Sequence, residues 1–237
     1  ETPPTLLKNN KVVKNFEAVT DMYSPVNYRE FDPNTVMAFF YSLFLGFIMG
    51  DVIYGLLMTA FGGFIYLRQK RETGMKKLAG VFAIGGIFAV FWGFLFNSFL
   101  GMNALPYTVM PDAKDGRYSL MGIKIPSVLV ISMLIGMVQL CAGYVCRAVQ
   151  CWRRGDIRGG IFDGMSWACF MVGLMLAVVG LVEDFSIPSL AIAGGIVAGA
   201  SLLLAMLTAG RKEKFFGKFT KGFGAAYGII NYASDIL

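Results

Sequence analysis

The stretch Phe47 to Gly55, FIMGDVIYG, decides the fold of this chain. It lies inside an apolar run from Val36 to Leu67, with a carboxylate, Asp51, near the middle and no basic residue anywhere in the run. Halfway along a membrane-spanning helix such a charge costs about 2.5–3.5 kcal/mol on insertion scales. Length raises a second objection, because the 32 residues from 36 to 67 would make one helix about 48 Å long against a hydrocarbon core of about 30 Å. Two short spans meeting at Gly50 and Asp51 remove both difficulties. Glycine suits the left-handed position just past a helix end, and aspartate is a strong cap for the first free N–H groups of the next helix. Gly50 and Asp51 are therefore expected to form a structural turn at a membrane surface.

Composition agrees with a membrane setting. The chain has 237 residues, 56% hydrophobic and 15% charged, with a mean hydropathy of +0.62, outside the range of water-soluble domains. No short alternating strands of the outer-membrane barrel type are visible. A net charge of +6 would suit nucleic acid if it formed one patch, but 14 of the 21 Lys and Arg fall in three clusters between apolar runs. These are Arg68–Lys77, Arg147–Arg158 and Arg211–Lys221. With two spans before the first cluster, all three share a face with the N-terminus, and the positive-inside rule makes that face cytoplasmic. A single span there would strand the first cluster outside and is the main topological rival.

Residues 1–34 read as a polar, proline-punctuated connector on the cytoplasmic side, with a short amphipathic helix from Val12 to Met22; residues 35–237 read as the transmembrane domain. After the opening hairpin, spans are expected at about Leu78–Leu100, Ser127–Val149, Ile161–Val182 and Ser189–Ala209, with a seventh starting near Phe223. The expected class is all-α: a polytopic transmembrane bundle of six full spans plus the start of a seventh, the first two forming a short hairpin. Gly46 with Gly50, Gly195 with Gly199 and Gly224 with Gly228 have the spacing of close helix contacts. A start at Glu1 and an end inside an apolar segment suggest a piece of a longer protein.

Chemistry has few places to reside. The chain has no histidine, four cysteines without a Cys-x-x-Cys pair, and no phosphate-binding or dinucleotide motif. No metal and no cofactor are expected, and no enzymatic activity for the chain alone. The polar candidates at or near membrane depth are Asp51, Asn97, Gln139, Asp163, Glu183, Asp184, Asn231 and Asp235. Helix capping accounts for Asp51, the first turn of the fifth span for Asp163, an outer turn for Glu183 and Asp184, and interhelical hydrogen bonds for Asn97 and Gln139. Asn231 and Asp235 are four apart, with Tyr227 one turn earlier, so they form a polar stripe on the seventh helix. In a membrane such a stripe usually faces water or an ion path.

Four stretches, PPTLLKNNKVVKNFEAVTDMYSPVNYREFDPN, FFYSLFLGFIMGDVIYG, FWGFLFNSFLG and NYASDIL, in that order, resemble the membrane half of subunit a, or subunit I, of V-type and A-type rotary ATPases. Tyr54 after the turn and a short outer loop are similar to the bacterial and archaeal type. The resemblance implies a stator subunit in the lipid bilayer beside a proteolipid (c/K) ring, partnered by the other rotary ATPase subunits. There, two half-channels carry protons or sodium ions to a ring carboxylate. It further implies that Asn231, Ser234 and Asp235 line a half-channel, and that an essential arginine in a Ser-Tyr-x-Arg sequence follows just beyond Leu237. Its guanidinium would stabilise the ionised ring carboxylate. Two departures are Ile53 and Asn97, where glycine is common; Asp235 replaces a histidine of eukaryotic relatives. The competing readings are a stand-alone secondary transporter, which would need broken helices with paired charges at the midplane, and a structural membrane scaffold.

Overall fold

A computed structural model describes residues 9–23, 32–106, 116–120, 123–182 and 187–209. The chain divides into two compact units, Glu1–Ala113 and Lys114–Leu237.

In the first unit, α1 (Val13–Tyr23), α2 (Asn34–Met49) and α3 (Val52–Arg68) are arranged around α4 (Gly74–Leu95). The chain reverses between α2 and α3 as expected, yet the two helices pack on α4 rather than on each other. Small residues decide this. On α2, Gly46 lies against the backbone of Phe88 and Ala89, while Leu45 reaches Gly85, so α2 runs parallel to α4. On α3, Gly55 meets Gly86 and Val90 and Gly62 meets Ala79 and Ala83, so α3 runs antiparallel to it. Gly55 and Gly62 face Gly86 and Ala79, and Gly93, seven residues beyond Gly86, meets Asp51 and Val52, which brings the two backbones together where lipid supplies no hydrophobic force.

The amphipathic helix expected in the connector is α1. It buries Phe16 completely, with Val19, against Ala38 of α2 and Val81 of α4. Two ion pairs hold it, Lys77 to Glu17 at 2.9 Å and Lys14 to Glu72, so α1 and the first basic cluster occupy the same end of this unit. Replacing Phe16 by Ala should cost about 3–4 kcal/mol, the usual range for emptying a buried aromatic site. Hydrogen exchange should then speed up throughout α1 and leave α3 and α4 protected; equal protection in both proteins would refute the docking.

The second unit begins with a small antiparallel hairpin, β1 (Arg117–Leu120) with β2 (Ile123–Pro126), in register Arg117 to Pro126 and Leu120 to Ile123. This hairpin is an addition to the expected helical class, which otherwise holds among the described residues. Tyr118-Ser119-Leu120 and Ile123-Lys124-Ile125 are short, but β-branched and aromatic residues suit a pleated, half-buried surface. Three long apolar helices follow. α5 (Ser127–Arg153) leads to a second helix in which α6 (Ile157–Gly159) passes through a π-helical segment, Gly160–Met165, into α7 (Ser166–Leu181); α8 (Pro188–Ala209) then folds back along α7.

The α7–α8 pair repeats the packing of α3 with α4. Gly173 meets Ala198, Gly180 meets Ala191 and Gly194 meets Ala177. Gly195 and Gly199, expected to mediate close contact, meet nothing within 4 Å, because the rotation of α8 turns Gly194 inward instead. Gly50 likewise serves the turn, and Gly224 with Gly228 lies outside the described residues.

The expected span number is met only in part. Four helices are long and apolar enough to cross a membrane: Gly74–Leu95, Ser127–Arg153, Ile157–Leu181 and Pro188–Thr208. α2 and α3, with 16 and 17 residues, reach only about 24 and 26 Å, short of a core of about 30 Å. Six full spans are therefore not seen among the described residues, and the seventh lies outside them.

Candidate functional site

The turn at Gly50 and Asp51 is the most fully built polar feature among the described residues. α2 ends because Gly50 adopts φ 44° and ψ 31°, a left-handed conformation that glycine enters freely, and its N–H donates to the Gly46 carbonyl at 2.8 Å. A side chain at Gly50 would also run into the Phe96 ring. Asp51 then takes an extended conformation and caps α3, its Oδ1 accepting from the N–H groups of Ile53 at 2.9 Å and Tyr54 at 3.2 Å.

The other oxygen is engaged from the far end of α4. Oδ2 accepts from the Ser98 hydroxyl at 3.0 Å and from the Gly101 N–H at 3.1 Å, and the Ser98 carbonyl accepts from the Val52 N–H at 3.0 Å. The first three amides of α3 are thereby all satisfied. The loop after α4 is shaped to do this. Asn97, Leu100 and Gly101 have φ of 50°, 53° and 77°, and Asn97 is buried with both side-chain atoms bonded to Leu105, each at 2.9 Å. Asparagine tolerates this backbone region better than most side chains. Phe47, Trp92 and Phe96 pack over one side, with ring centroids 4.8–5.5 Å apart.

Asp51 is only 5% exposed, so the turn is capped as expected but is closed over by the 98–101 loop rather than open at a surface. It lies outside the long apolar spans. Burial alone would raise its pKa; hydrogen bonds from Gly101, Tyr54, Ser98 and Ile53 outweigh that and hold the carboxyl below the usual carboxylate range. With four donors on two oxygens, this carboxylate has the chemistry of a fixed anion that ties two chain segments together, not that of a proton carrier.

The remaining candidates are scattered. Asn97 clamps a loop rather than bridging helices, and Gln139 is exposed on α5. Asp163 is half-buried in the first turn of the π-helical segment, itself preceded by α6. The cap there is Asp156, whose carboxylate accepts from Gly159 N–H at 2.8 Å just after Gly155, with φ 83°. Sequence reading missed Asp156, although the signal was present: Gly155-Asp156 repeats the Gly-Asp pair of 50 and 51. Glu183, Asp184, Tyr227, Asn231, Ser234 and Asp235 lie outside the described residues. Among the described residues no cluster has the makings of a metal site, and the four cysteines are free thiols.

Long apolar helices packed through glycine, with their turns sealed by buried polar bonds, define a multi-pass helical membrane protein. Residues 1–108 match the model of the V-type ATPase 116kDa subunit family. A-type ATP synthase subunit I of Pyrococcus horikoshii is 32% identical over 215 residues, covering 86% of this chain and 30% of the relative. The Methanocaldococcus jannaschii subunit I is 26% identical, covering 100% of this chain and 37% of the relative. Mouse V-type proton ATPase 116 kDa subunit a 1 is 28% identical over 133 residues, covering 50% of this chain and 16% of the relative. The chain belongs to this family, as the membrane subunit a/I of an A/V-type ATPase. It spans about a third of the length of the archaeal relatives.

Proposed function

We propose that this chain is the membrane part of the ion-translocating stator subunit of a rotary ATPase, forming with a proteolipid ring the half-channels for protons or sodium ions. ATP chemistry belongs to other subunits of such a machine. Residues 1–34 form the connector on the cytoplasmic side, and residues 35–237 the domain in a bacterial or archaeal plasma membrane. Asn231, Ser234 and Asp235 line a half-channel, being polar groups at helical spacing on an apolar segment.

The observation that supports this reading most is the sealed Asp51 turn within the stretch that matches the family model. An anion with every lone pair occupied braces short helices rigidly, as a stator beside a turning ring requires. Its test uses the assembled complex in cells that make it. Tagged protein should bring down the proteolipid ring, and Asp235→Asn should lower ATP-driven ion uptake into inverted vesicles by at least about tenfold, equivalent to about 1.4 kcal/mol at the barrier. Unchanged uptake with an intact complex would remove Asp235 from the pathway; failure to recover the ring would remove the subunit assignment itself.

A further inference from the structure

A second polar feature lies at the opposite end of the first unit from the Asp51 turn. A cavity of about 410 Å³ opens there between α1, the end of α3 and the start of α4. Four ammonium groups line it, those of Lys11, Lys14, Lys76 and Lys77. Carboxylates answer two of them: Glu72 pairs with Lys14, and Glu17 pairs with Lys77. Lys11 and Lys76 have no ion pair among the described residues, and Lys76 rests over the Tyr66 ring at 5.1 Å. The lining thus keeps a surplus of positive charge.

Two further observations point to an anion. Asn15 lines the same cavity and is only 8% exposed, yet its side-chain amide makes no hydrogen bond to another described residue. Its amide is not among the buried polar atoms left without a partner: it opens to the cavity and can bond to whatever occupies it. Lys76 and Lys77 also stand in the first turn of α4, where the partial positive charge of the helix N-terminus makes lysine unfavourable and a bound anion favourable. Thr73 satisfies one amide of that turn through Lys76 N–H.

Position narrows the anion's class. The apolar part of α4 begins at Leu78, immediately after the two lysines, so the cavity lies at the depth of phospholipid headgroups when α4 spans the bilayer. We propose that this cavity binds a phosphoryl group, held by Lys11, Lys76 and the amide of Asn15 and presented either by an anionic phospholipid headgroup or by free phosphate. Lys14 and Lys77, already paired, anchor α1 as the wall of the site. Bound there, the ligand joins α1 to the first turn of α4 and steadies the connector against the membrane.

Native mass spectrometry of the whole protein, incubated with phosphatidylglycerol or phosphatidylcholine, tests this together with a titration by inorganic phosphate. Expected is retention of one phosphatidylglycerol and no phosphatidylcholine. The Lys11→Gln/Lys76→Gln double variant should bind about 25-fold more weakly, about fivefold per lysine. That variant keeps both ion pairs of α1, and hydrogen exchange of α1 checks that it stays docked. A millimolar phosphate response that shifts the Asn15 side-chain resonances and displaces the lipid would assign the site to the free ion. Equal retention of both lipids with no phosphate response, or a response to an acidic peptide alone, overturns the proposal.

Discussion

Asp51→Ala is expected to destabilise the first unit by about 3 kcal/mol, the loss of a helix cap together with several buried donors left without an acceptor. The substitution leaves Ile53 N–H, Tyr54 N–H, Gly101 N–H and the Ser98 hydroxyl pointing at a site that is 5% exposed, where water reaches poorly. Asp51→Asn should fall between wild type and Ala. Its remaining oxygen serves the two α3 amides, but its NH₂ then faces the Gly101 N–H, donor against donor. Amide exchange at Ile53, Tyr54 and Gly101 reads the effect directly, alongside the thermal midpoint in detergent. Unaltered protection in the Ala variant would mean that the turn is held by other contacts.

The same carboxylate fixes an acid dependence. Its folded-state pKa is depressed by the four donors, below an unfolded value of about 3.9. The stability it contributes is therefore fully present above that value and is lost as pH falls through the folded pKa. From neutral pH down to about 5 the turn should be insensitive to protons, and Asp51→Asn should remove the part of the acid sensitivity below about pH 4 that is read at the turn amides, leaving that of the α1 ion pairs.

Gly93→Ala should be about as damaging as the loss of Asp51, despite adding one carbon. The new Cβ would overlap Val52 N and stand 2.5 Å from the Asp51 carbonyl carbon and 2.9 Å from its Cα. These are backbone atoms that cannot rotate aside, so α3 must lift from α4 and the Ser98 and Gly101 bonds to Asp51 must stretch. Overpacking of this kind costs about 1–3 kcal/mol, and more where polar bonds go with it. Gly199→Ala is the control. A Cβ there meets nothing within 4 Å, and alanine gains up to about 1 kcal/mol over glycine within a helix. A stability loss for Gly199→Ala equal to that for Gly93→Ala would show that helix flexibility, not the α3–α4 approach, sets the effect.

Much of the backbone course was legible because its causes are local. Glycine's freedom at positive φ and aspartate's affinity for free amides placed the Gly50-Asp51 turn to the residue, and the same reasoning applied to Gly155-Asp156 would have placed the α6 start. Apolar length located the four long helices within a few residues, since hydrocarbon thickness sets that scale. The phase of the glycines was less legible. Gly194 and Gly195 are adjacent in sequence and opposite in environment, and only the rotation of α8 against α7 separates them. The β1–β2 hairpin escaped notice because two four-residue strands carry little periodic signal.

By itself the sequence determined that the chain crosses lipid as helices, turns back at Gly50-Asp51, and keeps its first basic cluster beside the N-terminal connector. Hydrophobic length and local backbone preference act on consecutive residues, so one strand of text suffices to read them. Only the tertiary structure decided that α2 and α3 both lean on α4, that the Asp51 carboxylate is buried, and that lysines from α1 and α4 surround one cavity. Ser98 and Gly101 reach Asp51 across 47 and 50 residues, and Lys77 reaches Glu17 across 60. Bonds over such separations are set by how helices dock, and docking depends on where facing backbones find room to meet.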